Sequence, residues 1–393
     1  MKENEKKKLG LYIHIPFCEK KCEYCDFYSF KCPSAELAKS YVSALRIQME
    51  DYKKDAADYE ADTVYIGGGT PSTLPIPQLK KILSTARRSF DITEDAEITM
   101  EVNPGTVDGT SLKKYRRMGI NRLSIGVQSA NDKELASLGR IHTFDAAREC
   151  FAEAREAGFT NISVDLMYGI PHQTKNSFME TLDRVVSLGP EHISVYGLKI
   201  EEGTPFAEKR DSLPLPDEDS EYEMYLTAIS FLEERGYEHY EISNFARPGY
   251  RSRHNMKYWN SDEYLGFGAS AHSYFGGRRF AVVRDAVKYI DGVEIVGSGI
   301  NIYSENNELS ILEQMCEYIM LRMRLSDGVV ASKFNRRFGF DFEENYGKKL
   351  REYMQGDFVR FERGVYSLSP KGMYVSNYIL SSVLDFEPGN TPT

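Results

Sequence analysis

The stretch Tyr12-Ile-His-Ile-Pro-Phe-Cys18-Glu-Lys-Lys-Cys22-Glu-Tyr-Cys25 decides how this chain folds. Its first half is rich in aromatic and β-branched residues and predicts a strand, which three cysteines with the spacing CxxxCxxC follow directly. Three thiolates suit a 4Fe–4S cluster whose fourth iron has no protein ligand. Structural zinc normally takes four ligands, and the remaining candidate, His14, fits a packed or hydrogen-bonded role in the strand better. The spacing therefore predicts Cys18, Cys22 and Cys25 as cluster ligands, with zinc as the alternative.

The composition is that of an acidic globular chain. Its 393 residues carry 49 Lys and Arg against 59 Asp and Glu, which gives a net charge of −10 at pH 7. This balance disfavours non-specific binding to nucleic acid or anionic membranes, because attraction to phosphate needs a basic surface. No apolar run is long enough to span a bilayer, and residues 1–8 lack the apolar stretch of a signal peptide. We expect a cytoplasmic chain in which Cys32, Cys150 and Cys316 are buried apolar residues or bystanders.

Short apolar runs alternate with helical patterns over the first 235 residues. Such alternation predicts βαβ units and a parallel sheet. The strand-like runs are Leu11–Phe17, Thr63–Gly69, Glu97–Asn103, Arg122–Gln128, Asn161–Tyr168 and His192–Leu198, and the helix-like runs between and after them are Ala35–Ala57, Ile76–Phe90, Asp108–Met118, Thr143–Ala157, Thr174–Leu188 and Asp217–Arg235. Six strands are too few for a closed eight-stranded barrel and suit an open six-stranded one; the pattern alone also allows a flat doubly wound sheet.

The last third of the chain changes character. Asn307–Leu325 has a helical pattern, Phe358–Ser369 predicts a hairpin that turns at Arg363-Gly364, and Pro370–Leu384 predicts a final helix. Helices with a two-stranded wing suggest a small winged-helix-like module. Its nine basic and seven acidic residues between 327 and 384 give it a charge of only about +2, which is poor for binding DNA. We predict a barrel with an iron–sulfur loop over 1–240, a connecting segment over 241–303, the C-terminal domain over 304–385 and a tail over 386–393.

Glycine or hydrogen-bonding residues stand at the carboxyl ends of the predicted strands, where parallel barrels build their sites. They are Gly67-Gly-Gly-Thr-Pro71, Glu101-Val-Asn-Pro104, Gly126-Val-Gln128 and Asp165-Leu-Met-Tyr-Gly169. Any one of them alone is more often structural than functional, but four beside a cysteine loop favour a ligand site. S-adenosylmethionine (SAM) suits such a site, because its amine and carboxylate can chelate an open iron.

These motifs resemble those of the radical SAM superfamily over residues 9–384. Within it, the chain is similar to the branch that contains oxygen-independent coproporphyrinogen III dehydrogenase and the HemW group of heme chaperones. The resemblance implies a partial (β/α)6 barrel with a small helical, winged-helix-like C-terminal domain, and SAM bound on the open iron of the cluster. It assigns SAM contacts to Tyr12, Tyr24, Gly69, Thr70, Glu101, Gln128, Arg140 and Asp165.

Three features separate the two groups of that branch. The dehydrogenase has a fourth cysteine two residues after the triad, where this chain has Phe27, and it has a longer N-terminal segment than the seventeen residues that precede Cys18 here. The third is Arg253-His254-Asn-Met-Lys-Tyr-Trp259, which resembles the HNxxYW motif of the heme chaperones and makes His254 a heme-ligand candidate, with Arg247, Arg251 or Arg253 as partners for heme propionates. Alternatively, His254 and Trp259 are buried residues that brace the sheet.

The resemblance thus implies a heme chaperone that binds heme, a 4Fe–4S cluster and SAM and delivers heme to acceptors such as respiratory hemoproteins. Nucleic acid is not an expected partner, and contact with membrane-bound acceptors would be peripheral. The alternative is a radical SAM dehydrogenase of porphyrin biosynthesis that oxidatively decarboxylates the propionate side chains of coproporphyrinogen III. The missing fourth cysteine and the short N-terminal segment favour the chaperone.

Overall fold

The computed structural model describes residues 6–294 and 301–384. The predicted tail over 386–393 lies outside these residues. The strands are β1 Lys7–Ile15, β2 Phe17–Cys18, β3 Phe30–Lys31, β4 Tyr59–Gly68, β5 Asp91–Val102, β6 Arg122–Gln128, β7 Ile162–Tyr168, β8 His192–Gly197, β9 Glu238–Glu241, β10 Asn244–Ala246, β11 Tyr264–Phe267, β12 His272–Phe275, β13 Arg278–Val282, β14 Tyr303–Glu308, β15 Val329–Val330, β16 Val359–Glu362 and β17 Val365–Leu368.

Helices follow most of the central strands and cover the outside of the sheet. They are α1 Ala35–Asp51, α2 Ile76–Ser89, α3 Gly109–Arg117, α4 Asp132–Ser137, α5 Phe144–Glu156, α6 Lys175–Val186, α7 Pro205–Glu208, α8 Glu218–Glu233, α9 Arg253–Trp259, α10 Ala286–Glu294, α11 Ile311–Arg322, α12 Ala331–Phe338, α13 Lys348–Glu352, α14 Pro370–Tyr374 and α15 Ser376–Val383. Among the described residues, no helix is both long and apolar enough to cross a membrane.

Six parallel strands form the centre of the main sheet in the order β1-β4-β5-β6-β7-β8. Each strand lies beside the next parallel strand of the chain, as in a barrel; a doubly wound sheet would reverse direction at a switch point. The predicted partial (β/α)6 barrel is therefore confirmed, and the flat alternative is wrong.

Side-chain caps explain why the helix starts could be read from the sequence. Asp108, Thr143, Thr174 and Asp217 each accept a hydrogen bond from a backbone N–H of the first turn of α3, α5, α6 and α8, respectively. Such caps satisfy N–H groups that lack a partner within the helix. Each of these helices therefore begins within one residue of its predicted start.

Successive side chains of β1 point alternately to the helices outside the sheet and to the inside of the barrel. Leu11 and Ile13 point to the apolar core between sheet and helices. On the other face, the ring of Tyr12 lies 6.0 Å from that of His14 and 6.2 Å from that of Tyr65, centroid to centroid. The inner faces of β1 and β4 therefore carry polar aromatic groups rather than aliphatic side chains.

The sheet continues through the segment that we expected to connect the two domains. β11 pairs parallel with β1 on its free side, and β12, β13 and β14 extend that edge antiparallel. β10 and β9 add the opposite edge beside β8. The sheet therefore has twelve strands, and α9 lies between two pieces that complete it.

The C-terminal part packs α11–α15 around the small sheet β15-β17-β16. The predicted helix over Asn307–Leu325 starts too early: Asn307 and Glu308 belong to β14 and pair with β13. The helix begins at Ile311 because Ser310 and Glu313 form a capping box there. The hairpin turns at Arg363 and Gly364, whose φ angles of 52° and 79° are those of a type I′ turn.

Gly328 is expected to be essential for the C-terminal domain. Its φ is +59°, and a Cβ there would overlap the carbonyl oxygen of Tyr366 in β17. Gly328→Ala therefore combines backbone strain with a clash. Gly364→Ala is the matched control, because its φ is +79° and nothing lies within 4 Å of its Cβ. We expect the control to lose about 1 kcal/mol of unfolding free energy and Gly328→Ala clearly more, measured by urea denaturation; equal losses would contradict this account.

Candidate functional site

The three cysteines of the motif lie on a loop at the carboxyl end of β1. Cys18 ends β2, which pairs with β3 and so closes the loop between them. The loop is tied down at its centre: the Glu23 N–H donates to the Leu138 carbonyl at 3.1 Å, and the Phe206 N–H donates to the Glu23 carbonyl at 3.1 Å. Residues from two later βα connections thus hold the cysteine loop over the mouth of the barrel.

All three thiols are free and half-buried. Burial raises the pKa of Cys18 and of Cys25. Among the described residues, no three His, Cys, Asp or Glu side chains converge as the ligands of a single metal ion would. A 4Fe–4S cluster makes a different demand, because each cysteine binds its own iron. The donor set of three thiolates on one loop fits such a cluster.

A polar side chain lies beside the sulfur of each of these cysteines. The Thr70 hydroxyl donates to Cys18 Sγ at 3.4 Å, and Arg140 Nη1 donates to Cys22 Sγ at 3.5 Å. The third pair is Cys25 with buried Ser29, whose Oγ lies 4.0 Å from Cys25 Sγ. Donors of this kind stabilise thiolate charge.

The glycine turn after β4 is packed against the strand that leads to the cysteines. The Gly69 N–H donates to the Ile15 carbonyl at 2.8 Å, and the Thr70 N–H donates to the Phe17 carbonyl at 2.7 Å. A Cβ on Gly69 would lie 2.7 Å from that Ile15 oxygen, and Gly68 has a φ of +104°. Glycine is therefore required here by the close approach of two backbones.

Glu101 lies near the end of β5 and Asp165 in the middle of β7, and both side chains are half-buried. The Tyr65 hydroxyl donates to Glu101 Oε1 at 2.8 Å, and the Gly68 N–H donates to Oε2 at 3.0 Å. Burial raises the pKa of Glu101 to about 7 and also raises the pKa of Asp165, which accepts a hydrogen bond from Ser124 at 3.0 Å. Burial thus favours the neutral form of both carboxyls, which can donate as well as accept a hydrogen bond.

Arg140 crosses the mouth of the barrel from the loop after α4. Its Nη2 donates to Asn103 Oδ1 at 3.0 Å and to the Gly126 carbonyl, while Nη1 faces Cys22. Its Nε is buried with no partner among the described residues. A buried donor without a partner fits a site that awaits an anionic or carbonyl group.

Gln128 and the two tyrosines complete the predicted set. Gln128 ends β6 with a φ of +69°, next to an irregularity in the pairing with β7. Tyr24 packs against an apolar cluster that includes Leu138 and Met167, and Tyr12 OH lies 3.0 Å from His14 Nδ1. Thr70 and Arg140 donate to sulfurs of the cysteine loop, and Gly69 packs against the strand that leads to it. Glu101 is held by Tyr65 and Gly68 instead, and Tyr12 faces the barrel interior.

Sequence reasoning overlooked the part played by Asn103 at this rim. Its side chain touches both Thr70, at 2.8 Å from Nδ2 to Oγ1, and Arg140. The sequence showed only that Asn103 directly follows β5, and this position alone does not indicate which side chains the amide contacts.

His254 lies inside the barrel, one layer below the predicted SAM contacts. It is fully buried; its Nδ1 is 2.9 Å from Thr63 Oγ1 and its Nε2 is 2.7 Å from Tyr258 OH. Its ring stacks on Tyr65 at a centroid distance of 5.2 Å. Both ring nitrogens are occupied, so the geometry favours the bracing role that the sequence left open; a role as heme ligand stays a prediction.

The rest of the HNxxYW helix, α9, is held at the amino-terminal end of the barrel. Glu97, in the middle of β5, accepts from the N–H groups of Arg253 and His254 at 3.2 and 3.1 Å. The Arg324 guanidinium lies 4.5 Å from the centre of the Trp259 ring, which joins this helix to the C-terminal part. Arg253 is also engaged, since it donates to the Asp95 carbonyl at 2.7 Å.

The sequential parallel strands and the three-cysteine loop beside a glycine turn define a radical SAM protein. Residues 12–185 match the Radical SAM superfamily, and residues 309–375 match the HemN C-terminal domain. The chain is similar over its length to the structure of coproporphyrinogen III oxidase (HemN) from Escherichia coli, with a TM-score of 0.85 and 25% identity over 98% of this chain and 91% of that one.

Curated relatives identify the family more narrowly. The heme chaperone HemW of Bacillus subtilis (strain 168) is 35% identical over 376 residues, which cover 95% of this chain and 98% of the relative. The heme chaperone HemW of Escherichia coli (strain K12) is 39% identical over 264 residues, 67% of this chain and 69% of the relative. The chain belongs to the HemW family.

We expect His254→Ala to destabilise the fold. The variant loses a buried ring with two hydrogen bonds, which costs on the order of 2–4 kcal/mol at pH 7.5, measured by urea denaturation. Burial lowers the pKa of His254 to about 3, below the usual value of 6.5. The wild type therefore loses stability as the pH falls below 6.5, because only the unfolded state takes up the proton.

Because the wild type loses this stability at low pH and the alanine variant does not, the difference in unfolding free energy between them should shrink by about 1.4 kcal/mol when the pH is lowered from 7.5 to 5.5. His272→Ala is the control, because His272 is exposed and its loss should change little at either pH. A loss of unfolding free energy in His254→Ala that is small or independent of pH would contradict the assignment of His254 as a buried, neutral imidazole.

Proposed function

We propose that this protein is a heme chaperone that binds one 4Fe–4S cluster, SAM and heme, and passes heme to acceptor hemoproteins. The observation that carries the proposal is similarity over 95% of the chain to relatives named heme chaperone HemW. Localisation in the cytoplasm and respiratory hemoproteins as acceptors belong to the same proposal.

Two groups of residues at the mouth of the barrel would bind the cluster and SAM, respectively. Cys18, Cys22 and Cys25 would hold the cluster, and Gly69, Thr70, Glu101, Gln128, Arg140, Asp165, Tyr12 and Tyr24 would surround SAM. When bound, a reduced cluster with SAM on its open iron supplies one-electron cleavage of a sulfonium bond. The chain's own part is to orient the sulfonium ligand, to place the Arg140 cation beside its carboxylate, and to accept its hydroxyl hydrogens on Glu101.

Two exposed apolar side chains beside this mouth support a flat apolar ligand. Phe27, on the cysteine loop, is 69% exposed, and Ile141, next to Arg140, is 59% exposed. Apolar side chains of this kind pack on the face of a porphyrin, and their burial there is favourable. Arg284, which pairs with Asp26 at 2.9 Å, puts a cation next to Phe27 where a propionate can reach it.

A second candidate is an oxygen-independent coproporphyrinogen III dehydrogenase. The likeness to HemN, which covers 98% of the chain, favours it. Against it stands Phe27, which occupies the place of the fourth cysteine expected for that enzyme.

The cluster ligands can be tested separately from heme. Cys22→Ala should abolish the broad iron–sulfur absorbance and the bound iron and sulfide after anaerobic reconstitution, but should leave much heme binding intact. Cys32→Ala is the matched control, because Cys32 lies outside the triad and its thiol donates to the Ser34 carbonyl at 3.1 Å. Equal loss of the cluster in both variants would contradict the ligand assignment, and an unchanged heme spectrum in His254→Ala would remove His254 as heme ligand.

The proposed activity is tested by two measurements on the reconstituted protein. Heme transfer to an apo b-type hemoprotein should speed up with acceptor concentration, since direct handover requires contact; transfer limited by release into solution would be independent of it. Heme-loaded serum albumin is the passive control donor. With SAM, dithionite and coproporphyrinogen III under argon, we expect no decarboxylated porphyrin; many turnovers of such product would instead establish the dehydrogenase.

A further inference from the structure

Asn103 connects the two residues that donate hydrogen bonds to the first two cysteines of the motif. Its Nδ2 lies 2.8 Å from Thr70 Oγ1, and its Oδ1 lies 3.0 Å from Arg140 Nη2. Thr70 in turn donates to Cys18 Sγ at 3.4 Å, and Arg140 donates to Cys22 Sγ at 3.5 Å. A single amide group is therefore connected to two of the three thiols, in each case through one intervening side chain.

The direction of every hydrogen bond in this chain of contacts follows from chemistry. A guanidinium can only donate, so the Asn103 atom that faces Arg140 must be the oxygen. The amide nitrogen must then face Thr70, and because an amide N–H₂ only donates, the Thr70 oxygen accepts. The one hydroxyl hydrogen of Thr70 is thereby left to donate to the sulfur of Cys18.

The backbone around Asn103 does not depend on this side chain. The Asn103 carbonyl accepts from the Thr106 N–H at 3.1 Å and from the Thr106 hydroxyl at 2.7 Å, which builds the turn after β5. Arg140 has a further anchor in the Gly126 carbonyl. The amide of Asn103 is therefore not needed to shape the loop on which it sits.

We propose that Asn103 is a positioning residue that holds Thr70 and Arg140 as donors to the cluster thiolates and so raises the reduction potential of the cluster. Donors to sulfur favour the reduced cluster, which carries one more negative charge. The proposal rests on the cluster of the proposed function, and it concerns how readily that cluster accepts an electron.

Asn103→Asp tests the proposal with almost no change of shape. A carboxylate still accepts from Arg140, but its second oxygen also accepts, so the Thr70 hydroxyl turns towards it and away from Cys18. The added negative charge lowers the potential as well. Thr70→Val separates the two effects, because without the hydroxyl only the charge effect of Asn103→Asp remains.

The measurement is the midpoint potential of the cluster in an EPR-monitored titration with dithionite, without SAM. We expect Thr70→Val and Asn103→Asp each to lower the potential, and Asn103→Asp to lower it less in the Thr70→Val background than in the wild type. Thr70→Ser keeps the hydroxyl and should leave the potential unchanged. If the aspartate variant incorporates the cluster poorly, Asn103→Ala, which adds no charge, can be compared in the wild-type and Thr70→Val backgrounds instead.

Two different failures can be told apart. Shifts that simply add in the double variant would overturn the positioning role while leaving the cluster and the proposed function intact. A wild-type protein that holds no iron and sulfide after reconstitution would overturn the proposed function and this inference with it.

Discussion

The site depends on the contact between the glycine turn after β4 and the end of β1. The N–H groups of Gly69 and Thr70 donate to the carbonyls of Ile15 and Phe17, and no Cβ fits between the two backbones at position 69. This contact puts Thr70 beside the first cysteine of the motif. It also turns the Gly68 N–H towards Glu101. One close approach of two backbones thus places a thiol, a hydroxyl and a carboxylate within reach of a common ligand.

The barrel below that contact is polar, and its lower end must be filled. Tyr65 links the two layers, because its hydroxyl donates to Glu101 above while its ring stacks on His254. Burial of an imidazole is tolerable only when it is neutral and both nitrogens have partners, which Thr63 and Tyr258 provide. The helix that carries the HNxxYW motif therefore closes the barrel beneath the ligand layer.

Local signals explain what the sequence predicted well. Hydrophobic periodicity, helix caps and glycines at strand ends are properties of neighbouring residues, and they placed β6 over Arg122–Gln128 without error. The pairing of β11 with β1 had no such signal, because it joins Gly10 to Tyr264 across most of the chain. The same limit applies to His254 and Asn103. Thr63 lies 191 residues from His254, and Thr70 and Arg140 lie 33 and 37 residues from Asn103. The sequence could therefore indicate the chemistry of these side chains but not which atoms they touch.

Phe27 stands two residues after Cys25, at the position where a fourth cysteine is expected in the dehydrogenase group. Asp26, just before it, is held by Arg284, and Ser29, two residues after it, is buried beside Cys25, so both flanks of the position are fixed. The side chain between them points to solvent, 69% exposed. A cysteine or a phenylalanine at this position therefore changes what the loop presents outward, while the three cysteines keep the same anchors. Under the proposed function, the residue at position 27 therefore bears on what approaches the mouth of the barrel, rather than on how the three cysteines would hold a cluster.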